Sequence, residues 1–137
     1  MTIRFSLQPI GMIRQHPDRT VVEIFPAFED GLMGLDGFSH IVVCFWFDRN
    51  DNPQARATLQ THPRADRRNP LTGVFATHSP RRPNLIGISL CRLIAVSGNC
   101  LTIDRIDALD QTPVLDIKCY IPSSRFPGEP VRLPDWV

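Results

Sequence analysis

The sequence predicts an all-β fold, a small closed or partly open barrel with short helical segments in its loops. Three observations carry this expectation. Several short runs of β-branched and apolar residues are separated by turn signals. Thirteen prolines and eight glycines interrupt the chain throughout. Glu and Lys together number only four, so long helices have little to build on. With 137 residues, 42% hydrophobic and 21% charged, the chain is expected to form one domain over 1–137. Folding at this size buries roughly two-thirds of the extended-chain surface, enough for a real core.

Thr20 to Phe25 (TVVEIF) reads as the first clear strand, rich in β-branched residues. Phe38 to Phe47 (FSHIVVCFWF) is almost wholly apolar, as expected of a strand buried on both faces. Asp48 to Thr72 is polar and arginine-rich, and reads as irregular with a short helix around Gln54 to Gln60. In Ile86 to Val96, the residues Ile86, Ile88, Leu90, Ile94 and Val96 share one face, interrupted only by Arg92, which predicts a strand. A Gly98-Asn99 turn of the type I′ kind would join it to Cys100 to Ile106. Val114 to Ile121 alternates, with Leu115, Ile117, Cys119 and Ile121 on one side and Asp116, Lys118 and Tyr120 on the other. The tail from Pro122, with four prolines, reads as irregular.

Charge and cysteine usage narrow the function classes. No apolar run reaches the roughly 18 residues of a membrane span, and Phe5, Leu7 and Ile10 are too scattered for a signal-peptide core. A soluble cytoplasmic protein is expected. Cys44, Cys91, Cys100 and Cys119 include no C-x-x-C pair, so buried free thiols are expected over disulfides or zinc. The net charge of +1 gives little whole-molecule attraction for polyanions. Fourteen of the fifteen basic residues are arginine, however, and seven of these lie between Arg56 and Arg92. Arginine presents a planar fork suited to phosphate and carboxylate.

The familiar motifs are missing. Gly31, Gly34 and Gly37 do not form the G-x-G-x-x-G turn of a dinucleotide site, and no P-loop is present. The histidines His16, His40, His62 and His78 show no metal-ligand spacing, so no metal is expected. Ser39 and His40 are adjacent on a strand-like run; on that reading they face opposite sides and form no dyad, and His40 is a core histidine. Two segments invite a functional reading. Gly73 to Gly87 (GVFATHSPRRPNLIG) holds Arg81 and Arg82 between Pro80 and Pro83, a stiff arginine-bearing loop. Ile106 to Tyr120 gathers Asp107, Asp110, Asp116, Lys118 and Tyr120 beside a Thr-Pro turn, either a structural ion pair or a site for a small charged ligand.

These segments, with Ile10-Gly11-Met12-Ile13 and Leu35 to Phe47, resemble the TsaA-like family. Its pattern runs I-G-x-I, L-x-x-F-S-H-I-x-x-L-F-x-F-H, G-V-F-A-T-R-S-P-x-R-P-N-P-I-G-x-S and D-G-T-P-V-x-D-I-K-P-Y-x-P. The four blocks keep their order from Ile10 to Pro122. The family includes the tRNA methyltransferase that acts on threonylcarbamoyl-adenosine beside the anticodon. The resemblance implies a small β-barrel that binds S-adenosylmethionine, usually as a homodimer, with tRNA or another RNA as partner. It also implies that a methyltransferase here needs no glycine fingerprint.

Carried over by position, the cofactor contacts fall on Asp48, Arg49, His78, Ile88 and Leu109, and on Asp110, Gln111, Thr112 and Pro113. Arg64, Arg67, Arg68, Arg81, Arg82 and Asn84 are the expected substrate contacts, the arginines through RNA phosphates. Asp116, Lys118 and Tyr120 are the candidates for moving a proton, by position alone. The chain departs from the pattern where Asp48 replaces a histidine, His78 replaces the arginine of A-T-R-S, and Gln111 replaces the glycine of D-G-T-P. Leu85 and Cys119 replace prolines, and the P-R-Q element is missing. The expected activity is S-adenosylmethionine-dependent methyl transfer; the alternative is a cofactor- or RNA-binding module without catalysis.

Overall fold

The computed structural model describes residues 2–137. Six strands close an antiparallel barrel: β1 (Gly11–Gln15), β2 (Thr20–Ile24), β3 (His40–Trp46), β6 (Ile86–Ser97), β7 (Cys100–Ile103) and β8 (Pro113–Cys119). Around the barrel their order is β1-β2-β7-β6-β3-β8, and β8 pairs back to β1. Closure leaves no long edge exposed in the main sheet. Outside it, β4 (Gln60–Thr61) and β5 (Thr72–Gly73) form a two-stranded ribbon. The chain around this ribbon was expected to be irregular; its helix, α1, is confined to Pro53–Arg56, with Asn52 accepting a hydrogen bond from the Ala55 N–H at its start.

The inward faces supply the core. Ile13, Val22, Ile24, Ile41, Val43, Phe45, Cys91, Leu101, Ile103 and Val114 are all buried there, joined by Ile106 from the loop after β7. The chain between β2 and β3 winds into two 3-10 segments, and Phe28, Leu32 and Leu35 from them pack against this core. That closes the end of the barrel at which β3 begins. Gly11 allows the tight β1–β2 pairing, since a Cβ there would lie 2.3 Å from the Glu23 carbonyl oxygen.

Several expectations are corrected by the register. The apolar stripe of β6 faces outward: Ile86, Ile88, Leu90 and Ile94 are exposed, whereas Gly87 and Cys91 point into the barrel. β3 is not buried on both faces but alternates between buried and half-buried positions, because the barrel's outer wall has no covering layer. In β8 a bulge opposite Cys44 and Phe45 shifts the alternation, so Val114, not Leu115, fills the core. In the β6–β7 turn, Gly98 has φ +58° but Asn99 stays outside the left-handed region, so the turn is not type I′. Asn99 instead donates through its side-chain amide to the Ile24 carbonyl at 2.7 Å. Ser39 precedes β3 and escapes strand alternation; its Oγ is hydrogen-bonded to His40 Nδ1 at 2.7 Å, so the two do touch. His40 lies on the half-buried outer face of β3, its ring edge-on to Tyr120.

Among the described residues no helix is long and apolar enough to cross a membrane. All four cysteines are free, Cys91 buried and the others half-buried.

Candidate functional site

The other end of the barrel is open. There the last residues of β3, the first of β6, the loop preceding β6 and the loop between β7 and β8 surround a cavity of about 730 Å³. Phe45 and Phe47 form an apolar floor, their rings 5.3 Å apart and edge to face. Ile86, Ile88 and Leu109 extend the apolar lining, while Asp48, Asp107, Arg49, Arg82 and His78 supply charge and hydrogen-bonding groups. Gly87 leaves room for this floor: a Cβ there would lie 2.4 Å from Phe45 Cε2.

Hydrogen bonds hold the walls. Arg49 Nη2 donates to the Asp110 carbonyl at 2.7 Å, and the Asp110 carboxylate accepts the Gln15 backbone N–H at 2.9 Å. Gln15 Nε2 donates to the Ala108 carbonyl, and Thr112 Oγ1 to the Leu109 carbonyl. The loop from Asp107 to Thr112 is therefore bound to both β1 and the end of β3. Gln111 sits in it with φ +66°, a conformation that favours glycine, and this accounts for the glycine of the D-G-T-P pattern at that position. Across the cavity, Arg82 Nη1 donates to the carbonyls of Thr77 at 3.1 Å and Ser79 at 3.2 Å, folding its loop around itself.

Of the expected cofactor contacts, Asp48, Arg49, His78, Ile88, Leu109 and Thr112 line the cavity. Asp110, Gln111 and Pro113 build its rim without lining it. Among the expected substrate contacts, Arg82 lines this cavity, and Arg64 and Arg81 line a second cavity beside it. Arg67 is exposed and lines neither, Asn84 is likewise outside both, and Arg68 is gripped by the Asp66 carboxylate at 2.7 Å. That contact holds Asp66 below the usual carboxylate range and raises Arg68.

Asp116 and Lys118 lie apart from the cavity, exposed on β8, and Tyr120, just past the end of that strand, is also outside it. Lys118 Nζ is 3.6 Å from Asp116 Oδ2, a solvent-exposed ion pair. Sequence reasoning missed Phe45, Phe47, Asn50, Thr77 and Ser89 as lining residues. For Phe45 and Phe47 the signal was the alternation ending β3, hidden by an apolar outer face.

Burial raises the Cys44 thiol, and the Asp116 charge adds to this. Cys91 is raised chiefly by burial too, against a lowering hydrogen bond from Ser89. Both thiols thus stay protonated near neutral pH and are poor nucleophiles. No grouping of His, Cys, Asp and Glu among the described residues is arranged to hold a metal.

The sequence profile of the tRNA-methyltransferase O N-terminal domain matches residues 7–125. The chain belongs to that family. The TrmO-family fold is confirmed by a crystal structure of TrmO from Pseudomonas aeruginosa, 31% identical with a TM-score of 0.74, which matches 99% of this chain and 63% of that one. A probable S-adenosyl-L-methionine-binding protein of Methanocaldococcus jannaschii is 45% identical over 116 residues, 85% of this chain and 92% of that protein. A human tRNA (adenine(37)-N6)-methyltransferase is 45% identical over 98 residues. The chain spans about two-fifths less than the full length of the Pseudomonas enzyme, and its match covers 22% of the human one.

Proposed function

We propose that this TrmO-family chain binds S-adenosylmethionine in the barrel-mouth cavity and transfers its methyl group to adenosine N6 in tRNA, at the threonylcarbamoyl-adenosine beside the anticodon. The observation that carries the reading is the cavity itself. Its roughly 730 Å³ falls in the range of small-molecule sites, and its lining suits the three parts of this cofactor. The aromatic floor and Ile88 and Leu109 offer an apolar slot for a base, Arg49 and Arg82 a cationic anchor for a carboxylate, and Asp48 and Asp107 carboxylates for a cationic sulfur. The relatives named for S-adenosylmethionine binding and for tRNA adenine methylation support it.

When bound, the cofactor supplies an electrophilic methyl group whose transfer cancels a positive charge. The chain's own residues must orient, exclude water and accept a proton. Arg49, by bonding the Asp110 carbonyl, fixes one wall before any ligand enters, which lowers the ordering cost of alignment. The buried Phe45 ring, with the half-buried Phe47 ring against it, keeps the floor dry. A nitrogen that gains a methyl group must lose a proton, and Asp107 and His78 are titratable groups lining the cavity where it meets its neighbour.

The second copy of the proposed homodimer covers the outward stripe of β6. Ile88 and Ile94 are 70% and 59% exposed, and Val42, Cys44 and Trp46 of β3 stand beside the stripe in register. A sheet face this apolar on its outer side calls for a second layer. Sedimentation is expected to give a dimer that Ile94→Asp converts to monomer; a monomeric native chain refutes it. A cytoplasmic compartment is part of this proposal.

Calorimetry with S-adenosylmethionine, followed by transfer of labelled methyl groups to an anticodon stem-loop with or without the threonylcarbamoyl group, tests the activity. Binding and transfer to the carbamoylated RNA are expected. Binding without transfer marks a module that only holds the cofactor, and absence of binding overturns the reading.

A further inference from the structure

We propose that the second cavity, beside the cofactor cavity, holds the acceptor nucleobase, and that Trp136 is the surface on which that base stacks. This inference rests on the methyl-transfer reading and assigns the other half of its site. The second cavity has a volume of about 890 Å³ and shares Asn50, Thr77, His78, Pro80 and Asp107 with the first. The two thus adjoin along a boundary that carries the two titratable groups. A methyl donor in one cavity and an acceptor in the other would meet at that boundary, as an in-line transfer demands.

The chemistry of the second compartment matches a nucleotide. Its outer wall is the C-terminal segment, which brings Leu133 and the half-buried indole of Trp136 over the loop formed by His62 to Ala65. Arg64 and Arg81 line the same compartment. An aromatic plane flanked by unpaired-strand-reading arginines is the pairing by which proteins hold an unstacked base and its phosphates. Arg64 itself is held at some cost. It and Ala65 both take left-handed backbone, φ +59° and +55°, which side chains with a Cβ rarely adopt. The loop is fastened there by Asn69, whose Nδ2 donates to the Pro63 carbonyl at 2.9 Å, and by His62 Nδ1 bonded to the Asn69 carbonyl at 2.9 Å. Such fastened strain is characteristic of ligand clamps. Since a base must leave the RNA stack to enter, a single-stranded or loop nucleotide is the fitting occupant.

The test uses the full chain with Trp46→Phe, so that Trp136 is the remaining tryptophan of the two. With S-adenosylmethionine present, an anticodon stem-loop RNA is expected to quench Trp136 fluorescence saturably. Trp136→Ala is expected to weaken stem-loop binding by about ten-fold or more and to raise KM for the RNA more than it lowers kcat. Its S-adenosylmethionine affinity stays within two-fold, and Trp136→Phe recovers most of the RNA affinity. Stem-loop binding and methylation unchanged in Trp136→Ala overturn the assignment while leaving the methyl-transfer reading standing. Equal loss of cofactor and RNA binding also overturns it, because the residue then supports the cleft as a whole. A native chain that neither binds the cofactor nor methylates RNA overturns both.

Discussion

Replacing Gly87 with alanine sets one methyl group against the floor of the cavity. The new Cβ would lie 2.4 Å from Phe45 Cε2, 2.5 Å from Cζ and 3.0 Å from Cδ2, inside any tolerable carbon contact. Phe45 is 4% exposed and packed among the barrel's core residues, so the free volume its ring can swing into is that of the cavity it floors. Either the ring leaves its rotamer or β6 moves away from β3, and overpacking of this kind costs about 1–3 kcal/mol. For a chain of this length that corresponds to a Tm lower by roughly 4–12 °C. The displaced ring also occupies cavity volume, so S-adenosylmethionine affinity is expected to fall by at least ten-fold. Thermal and urea denaturation measure the first effect and calorimetry the second. Phe45→Leu in the same chain removes the clashing ring atoms, so the double variant is expected to lose less than the sum of the two single losses. Gly87→Ala with native stability and native affinity would refute the claim that Phe45 and Gly87 together shape the floor.

Other perturbations follow from the same geometry. Gln111→Gly relieves a φ of +66° at the cost of a looser unfolded chain, and is expected to stabilise by about 0.5 kcal/mol, read as a small rise in the urea midpoint. Arg49→Ala removes the bond to the Asp110 carbonyl and is expected to cost about 1 kcal/mol, with faster amide exchange confined mainly to residues 107–112. Asp104 is held below its ordinary pKa, first by the Arg105 backbone N–H and also by that of Arg92. The ionised form is therefore favoured by folding: its contribution is present above the unfolded value of about 3.9 and is lost as pH falls through the lower folded value. Asp104→Asn is expected to flatten the acid limb of the stability curve below about pH 4, leaving the curve above pH 6 parallel to the native one.

Local chemistry in the chain was enough to determine an all-β barrel. Proline and glycine frequency, scarce helix formers and β-branched runs are properties of single segments, and β2, β3, β6, β7 and β8 fall where those runs lie. The motif segments likewise marked seven residues that line the cavity, among them Arg49, His78, Arg82 and Leu109. Which side of a strand faces the core was not legible, because period-two patterning states only that two faces differ. In β6 the more apolar face turned outward, since Gly87 makes room for the Phe45 ring and Cys91 fits the crowded interior, which leaves Ile88 and Leu90 on the exposed side. The bulge at Leu115 altered β8 for a related reason: strand pairing across β3 sets it, and β3 lies some seventy residues away along the chain. Proximity also decided which charged groups serve the cleft. Asp116 and Lys118 sit in a motif block yet pair with each other away from the cleft, whereas Asp107, from the same acidic segment, and Trp136, unremarkable in sequence, are brought to a common cleft by the closure of the barrel and the path of the final segment.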